Sequence, residues 1–122
     1  MSPNNNNEMK IVNLTKNTVL AENAIVANTV FKRIKGLLGK KEINIGQALI
    51  LKPCNSIHTL FMRFPIDVVF VEKRNRVVKI ISCLKPWRLS GIYLTARLCI
   101  ELPVDTIRSN LTSAGDTLSF ID

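Results

Sequence analysis

The sequence predicts an α+β domain rich in β-structure: a small, barrel-like, mostly antiparallel sheet with one or two short helices. Short apolar runs of strand length recur between turn residues, one segment alone has helical periodicity, and the βαβ rhythm of a doubly wound sheet is missing. With 122 residues, 47% of them hydrophobic and 21% charged, the chain is long enough to fold around its own core. We expect residues 1–8 to be a loose N-terminal tail and residues 9–122 to form a single domain.

The N-terminal third contains two predicted strands and one predicted helix. Residues 10–14 form a short β-type run, and residues 17–27 are typical of a turn followed by a second strand. Over residues 28–39, apolar positions recur at helical spacing with basic residues between them, which predicts an amphipathic helix. Gly39 can close this helix, and a polar residue, Asn28 or Thr29, can cap its beginning. Its apolar positions are Val30, Phe31, Ile34, Leu37 and Leu38.

The middle of the chain predicts a short strand and a hairpin. Residues 48–51 are a short apolar run that ends just before a proline. Residues 66–71 and 77–84 are two further strands joined by a turn at 73–76, so they form a β-hairpin. Within this turn, Asn75 is the residue expected to adopt a positive φ.

The C-terminal part predicts two strands and a helical turn. Arg97, Cys99 and Glu101 alternate with apolar residues, so their strand is expected to have one apolar and one polar face. Residues 104–111 predict a helical turn, and a turn signal then precedes a last strand over residues 117–121.

The chain is strongly basic. Its 17 lysine and arginine residues against 9 acidic residues give a net charge of +8 with histidine neutral. Such a field attracts nucleic acid, anionic lipid or an acidic partner. Aromatic residues are only 6% of the chain, whereas stacking on bases needs exposed aromatics beside the basic residues. A solvated basic face is therefore the favoured interpretation, and nucleic-acid binding is kept as an alternative. The basic residues form two groups: Lys32, Arg33, Lys35, Lys40 and Lys41, and then Lys73, Arg74, Arg76, Lys79, Lys85 and Arg88.

Neither an export signal nor a membrane span is visible. Residues 1–10 are polar and lack the apolar core of a signal peptide, and the longest uncharged run, residues 53–62, is much shorter than the roughly 20 residues of a spanning helix. Cys54, Cys83 and Cys99 include no C-x-x-C pair, so we expect free thiols in a reducing cytoplasm. Cys83 lies in an apolar run and is expected to be buried. The sequence therefore predicts a cytoplasmic protein. It also predicts no cofactor.

The densest group of chemically active side chains lies in residues 54–67. Cys54 and His58 have the spacing of a pair of metal ligands, although zinc needs three or four convergent ligands. One spaced pair alone favours a metal site only weakly. The residues that would complete such a site are Cys83, Cys99 or Asp67.

The same segment has the residue types of a nucleophilic catalyst. Cys54 or Ser56 would be the nucleophile, His58 the base and Asp67 the group that orients it. A structural role is favoured instead, in which His58 donates to a backbone carbonyl or to Asp67 and fixes the loop between two strands.

Two carboxylates lie in predicted strands. Asp67 is expected to accept hydrogen bonds from loop N–H groups or from Arg63 or Arg88, and Glu101 is expected to reach a cation such as Arg97 or Arg88. A pair of carboxylates also invites a glycosidase interpretation, for which their separation is decisive.

Trp87 follows the second hairpin strand, between Pro86 and Arg88. The favoured interpretation is that its ring caps the core. The alternative is that Trp87 and Arg88 form a rim that clamps an anionic ligand.

Several segments match a known family in order and spacing. They are residues 33–39 (RIKGLLG), 56–59 (SIHT), 62–70 (MRFPIDVVF), 86–88 (PWR), Ala96, 101–103 (ELP) and 115–116 (GD). Together they resemble the DUF192 family, also called UPF0127, over nearly all of residues 9–122. The resemblance implies a compact β-rich domain of bacteria and archaea, some members of which carry a leader, and it implies no reaction. Val104 and Asp105 depart from the family pattern, which has a small residue and glycine at this turn.

These observations predict a non-enzymatic domain whose polar, partly basic pocket binds an anionic small molecule or an acidic segment of a partner. A hydrolase-like enzyme that uses Cys54 or Ser56 with His58 is the alternative from another functional class. The expected wall of the pocket consists of His58, Arg63, Asp67, Trp87, Arg88 and Glu101.

Overall fold

A computed structural model describes residues 8–27 and 42–122. The strands are β1 (Glu8–Asn13), β2 (Thr18–Ala27), β3 (Gln47–Leu51), β4 (Ile66–Glu72), β5 (Arg76–Leu84), β6 (Ala96–Leu102) and β7 (Leu118–Ile121). A 3-10 turn, Lys73–Asn75, joins β4 to β5, and a short helix, α1 (Thr106–Asn110), follows β6. The helix predicted over residues 28–39 and the first basic group lie outside the described residues.

The seven strands form one sheet in the order β5-β4-β6-β3-β2-β1-β7. Every neighbouring pair is antiparallel except β2 and β3, which are parallel. The sheet curls until its two edges approach each other, because Arg76 at the beginning of β5 forms a bridge with Thr117 and the Val77 amide donates to the Asp116 carbonyl at 2.8 Å. The prediction of a compact, barrel-like, mostly antiparallel α+β fold is confirmed.

Both faces of the sheet are covered by apolar side chains. Strand β4 shows this most clearly. Its run of β-branched and aromatic residues is buried on both faces, as expected for a central strand. Val69 and Val71 belong to a first cluster inside the curl, and Val68 and Phe70 belong to a second cluster on the opposite face. The second cluster includes Leu51, Ile57, Met62, Ile66, Val68, Phe70, Ala96 and Cys99.

The hairpin between β4 and β5 has the predicted bounds within one or two residues. Asn75 adopts a positive φ of 60°, which confirms its expected role, and Arg74 does the same with a φ of 70°. Two successive residues with positive φ match the twist of a tight hairpin.

Two expectations about burial are wrong. Cys99 and Glu101 do not form a polar, solvent-facing side of β6, because the second cluster covers that face and both residues are buried. Cys83 is exposed rather than buried. The pairing of β4 with β5 shifts register near Asp67, and Cys83 lies at this bulge with a φ of 57°, which turns its side chain away from the core.

Candidate functional site

Two long connections are joined to each other along one face of the molecule. The first comprises residues 54–65 of the connection between β3 and β4, and the second comprises residues 85–94 of the connection between β5 and β6. We call them the linked loops. Their backbones exchange hydrogen bonds in an antiparallel manner: the Tyr93 amide donates to the Asn55 carbonyl at 2.9 Å, and the Ser90 amide donates to the Ile57 carbonyl at 2.8 Å. The linked loops therefore form a two-stranded cover rather than two independent loops.

Thr59 is the centre of this cover. It is fully buried, and its amide donates to the Arg88 carbonyl at 2.9 Å. Its hydroxyl donates to the Lys85 carbonyl and accepts from the Arg88 amide at 2.9 Å, while its carbonyl accepts from the Trp87 amide at 2.9 Å. Because these bonds fix residues 85–88 on one threonine, the position of Trp87 depends on Thr59.

The inner side of the linked loops completes the second cluster. Ile57 and Met62 are buried against β4 residues of that cluster. Tyr93 also turns inward, and its ring centroid lies 4.6 Å from that of Phe70. These contacts bury apolar surface and hold the cover on the sheet.

The outer side presents two aromatic rings to solvent. Phe61 and Trp87 pack edge to face with centroids 4.6 Å apart, and they remain 67% and 56% exposed. Both residues have positive φ, 68° for Phe61 and 66° for Trp87, a backbone conformation that is uncommon for bulky residues. The expectation that Trp87 caps the core is therefore wrong, and the alternative position at an exposed rim is the observed one.

Four of the six predicted site residues lie on the linked loops. His58, Arg63, Trp87 and Arg88 are all exposed there. The backbone of His58 forms a bridge with Leu89, which sets its side chain on the outer side. Its Nδ1 accepts from the Leu60 amide at 3.3 Å, so the ring is fixed by an N–H group rather than by a carbonyl or by Asp67.

Asp67 is buried inside the curl of the sheet and serves the fold. Its two carboxylate oxygens accept from the Cys83 amide at 2.8 Å and from the Ile107 amide at 3.0 Å. These bonds hold the β5 bulge and the helix α1 on β4. The two donors are backbone amides, but they belong to β5 and α1 rather than to a loop, and they take the place expected for loop N–H groups or for Arg63 or Arg88.

Glu101 lies on the opposite face of the sheet from Asp67. It pairs with Val68 of β4, whereas Asp67 pairs with Leu102 of the first cluster. Glu101 is only 5% exposed. Burial raises its pKa from 4.5 to about 8, and the nearby Cys54 thiol adds to this rise.

The six residues therefore do not line one wall. The sheet separates Asp67 from Glu101, which removes the geometric basis for a glycosidase pair, since both carboxylates must flank one bond. The binding role of His58, Arg63, Trp87 and Arg88 stays a prediction.

Cys54, Cys83 and Cys99 form no disulfide, and their surroundings differ. Cys99 is buried, and a hydrogen bond with Cys54 together with burial raises its pKa well above the ordinary range. The Cys54 thiol also donates to the Ser56 carbonyl at 3.1 Å. Within residues 8–27 and 42–122, no group of three or more histidine, cysteine or acidic side chains is arranged to hold a metal ion.

Sequence reasoning missed Phe61 and Thr59. Phe61 lies in an apolar stretch that is typical of a buried loop, and nothing local signals its positive φ. The partners of Thr59 are 26 and 29 residues away, so no local pattern reports them. The only available signal was the clustering of polar and aromatic residues over residues 54–67.

The fold defines the chain as a small, curled β-sheet domain with a looped cover on one face. Two crystal structures share it. One, a protein of unknown function from Novosphingobium aromaticivorans, matches with a TM-score of 0.79 and 16% identity over 92% of this chain and 83% of that one. The other, a candidate transcription regulator from Sinorhizobium meliloti, matches with a TM-score of 0.80 and 13% identity over 93% and 92%. At these identities the likeness concerns the fold alone.

The chain belongs to the DUF192 family, described as uncharacterized, whose model matches residues 11–120. A UPF0127 protein of Thermococcus kodakarensis is 33% identical over 114 residues, which cover 90% of this chain and 72% of the relative. A UPF0127 protein of Pyrococcus horikoshii is 34% identical over 116 residues, 90% of this chain and 97% of the relative. The resemblance drawn from the sequence segments is confirmed.

Across the two described ranges, the structure contains no helix with the length and apolar character needed to cross a membrane.

Proposed function

We propose that this domain is a non-enzymatic binding module that holds an acidic segment of a partner protein against the outer side of the linked loops. The observation that carries the proposal is the exposed Phe61–Trp87 pair, which is fixed in place by the hydrogen bonds of Thr59. A preorganised aromatic pair binds a partner without the entropic cost of ordering a mobile loop.

The charge of the linked loops favours an acidic partner. Arg63, Lys85 and Arg88 are exposed on them, and the sequence has no aspartate or glutamate in residues 54–65 or 85–94. Tryptophan and arginine are the residues most enriched where binding energy concentrates in protein interfaces. Positive charge around them accelerates association with an acidic segment and selects it over basic ones.

The hydrolase alternative has less support from the geometry. The Leu60 amide occupies Nδ1 of His58, and Ser56 is exposed with its carbonyl accepting from the Cys54 thiol. A catalytic base needs a nucleophile within hydrogen-bond reach and a group that orients its ring. Asp67 cannot supply that orientation, because both of its oxygens already bind amides inside the curl.

The test is a titration of the protein into a labelled peptide rich in aspartate and glutamate, followed by fluorescence anisotropy. The variant Arg63→Glu/Arg88→Glu reverses two charges on the linked loops. The matched control, Lys73→Glu/Lys79→Glu, reverses two exposed charges elsewhere and changes the net charge equally. We expect the first variant to weaken binding about tenfold or more and the control to change it only about twofold.

Two results would contradict the proposal. Equal losses in both variants would mean that only the net charge attracts the peptide. Tighter binding to a DNA or RNA oligonucleotide, with a steep dependence on salt, would favour the nucleic-acid alternative instead.

A further inference from the structure

The outer side of the linked loops is apolar well beyond the aromatic pair. Leu89, Ile92 and Leu94 on the second loop are 72%, 67% and 85% exposed. Together with Phe61 and Trp87 they place five large exposed hydrophobic side chains on two segments joined by hydrogen bonds. Single exposed hydrophobic residues are ordinary on protein surfaces, whereas a concentration of them marks an interaction site.

The backbone explains why these side chains point outward. Tyr93 turns inward onto Phe70, and its neighbours Ile92 and Leu94 consequently lie on the other side of an extended segment. Leu89 bridges His58, and paired residues of antiparallel segments share a face. The inward positions already complete the second cluster, so the core does not need the outward ones.

We infer that the segment bound by the linked loops is amphipathic, with apolar side chains that cover Leu89, Ile92 and Leu94 and acidic side chains that meet Arg63, Lys85 and Arg88. This inference rests on the proposed function and narrows it. A free anion or a purely acidic chain would leave the exposed leucines and isoleucine in water. An amphipathic segment buries them and gains the hydrophobic free energy of that surface.

Charge and surface chemistry also disfavour two other candidate partners of this surface, a second copy of the chain and nucleic acid. A second copy of the chain, with its net charge of +8, would bring the basic residues of two identical surfaces together. Nucleic acid would pair with the arginines and lysine and stack on Phe61 and Trp87, but it would leave the aliphatic side chains of the surface in water. An acidic amphipathic segment satisfies both the charged and the apolar part of the surface.

The experiment compares two labelled peptides of identical composition. In one, leucine and phenylalanine lie on one face and aspartate and glutamate on the other, and in the second the order is scrambled. The variant Ile92→Ser/Leu94→Ser removes exposed apolar side chains from the linked loops. The control Leu14→Ser/Ile45→Ser removes side chains that are 58% and 94% exposed elsewhere. Denaturation curves check that both variants are folded.

We expect the amphipathic peptide to bind about tenfold more tightly than the scrambled one. The variant Ile92→Ser/Leu94→Ser is expected to bind the amphipathic peptide no more tightly than the scrambled one. The control variant is expected to keep the tenfold difference in affinity between the two peptides. The variant Arg63→Glu/Arg88→Glu is expected to bind both peptides more weakly than wild type.

The failures of the two hypotheses are distinguishable. Equal binding of both peptides, lost in the arginine variant only, overturns the amphipathic inference and leaves the proposed function standing. Binding of neither peptide overturns both. Preferential binding to vesicles of anionic lipid, or a dimer in sedimentation that Ile92→Ser/Leu94→Ser dissociates, also overturns the inference because another occupant then covers the surface.

Discussion

Asp67 and Glu101 lie on neighbouring strands, yet they face opposite sides of the sheet and are accommodated in different ways. Inside the curl, two backbone amides hold the Asp67 carboxylate. Glu101, by contrast, lies on the face that the linked loops cover, near the Cys54 thiol, and its burial there raises its pKa to about 8. On the first face backbone amides satisfy the carboxyl group, and on the second burial favours the neutral acid. The difference teaches that position on a sheet face, rather than residue type, decides what a buried carboxyl does.

The largest expected effect comes from removing the bonded carboxylate. Asp67→Ala leaves the amides of Cys83 and Ile107 buried without acceptors, and we expect a loss of about 4 kcal/mol in the free energy of unfolding. Urea denaturation measures it. Asp105→Asn is the control, since Asp105 pairs with Arg108 at an exposed site and contributes little. Equal stability of Asp67→Ala and wild type would mean that the two amides find other partners.

Glu101 is expected to make stability depend on pH. Its pKa is 4.5 in the unfolded chain and about 8 in the fold, so between these values the native state binds more protons than the unfolded state. The contribution of Glu101 to stability is therefore full below pH 4.5 and declines as the pH rises towards 8. Glu101→Gln should abolish this decline and become more stable than wild type by a few kcal/mol at the upper end. The test is to measure the denaturation midpoints of wild type and Glu101→Gln across this pH range. If the midpoints of both proteins change with pH in the same way, Glu101 is not the group responsible.

Asp116, in the turn before β7, is also held by hydrogen bonds, and its contribution to stability depends on pH in the opposite direction to that of Glu101. Burial opposes its ionisation, but hydrogen bonds from Asn13, Lys16 and the Ser113 amide outweigh burial and keep its pKa below 3.8. A lowered pKa contributes stability above the unfolded value, and this contribution disappears as the pH falls through the folded value. Asp116→Asn should cost about 2 kcal/mol at neutral pH and nearly nothing in strong acid. A cost that persists in acid would assign the effect to packing rather than to charge.

The smallest expected effect on stability belongs to the outer side of the linked loops. Phe61→Ala removes a ring that is 67% exposed, so the free energy of unfolding should change by less than about 1 kcal/mol. Phe70→Ala, the same change at a fully buried position, should cost about 4 kcal/mol. Binding of the acidic peptide should be lost in Phe61→Ala. A large destabilisation in Phe61→Ala would show that the ring serves the fold rather than recognition.

Local patterns predicted most of the sheet because strand signals are short-range. The β4–β5 hairpin illustrates this, since its two apolar runs, its turn residues and the positive φ of Asn75 all follow from neighbouring residues. The burial of Cys99 and Glu101 did not follow, because alternation along β6 reports only that two faces differ. That both faces are covered depends on the linked loops, which come from other parts of the chain.

For the candidate site, too, some features follow from the local sequence and others only from the tertiary structure. The sequence by itself determined the fold class, the family and the segments that hold His58, Arg63, Trp87 and Arg88, because residue types and their spacing are present before folding. Tertiary structure alone decided that Asp67 and Glu101 lie on opposite faces and that Phe61 meets Trp87 at an exposed surface. The physical reason is that these relations depend on the pairing of β4 with β6, which sets Asp67 opposite Leu102 and Val68 opposite Glu101, and on the bonds of Thr59 to residues 26 and 29 positions away. Contacts of that range form only when the chain closes on itself.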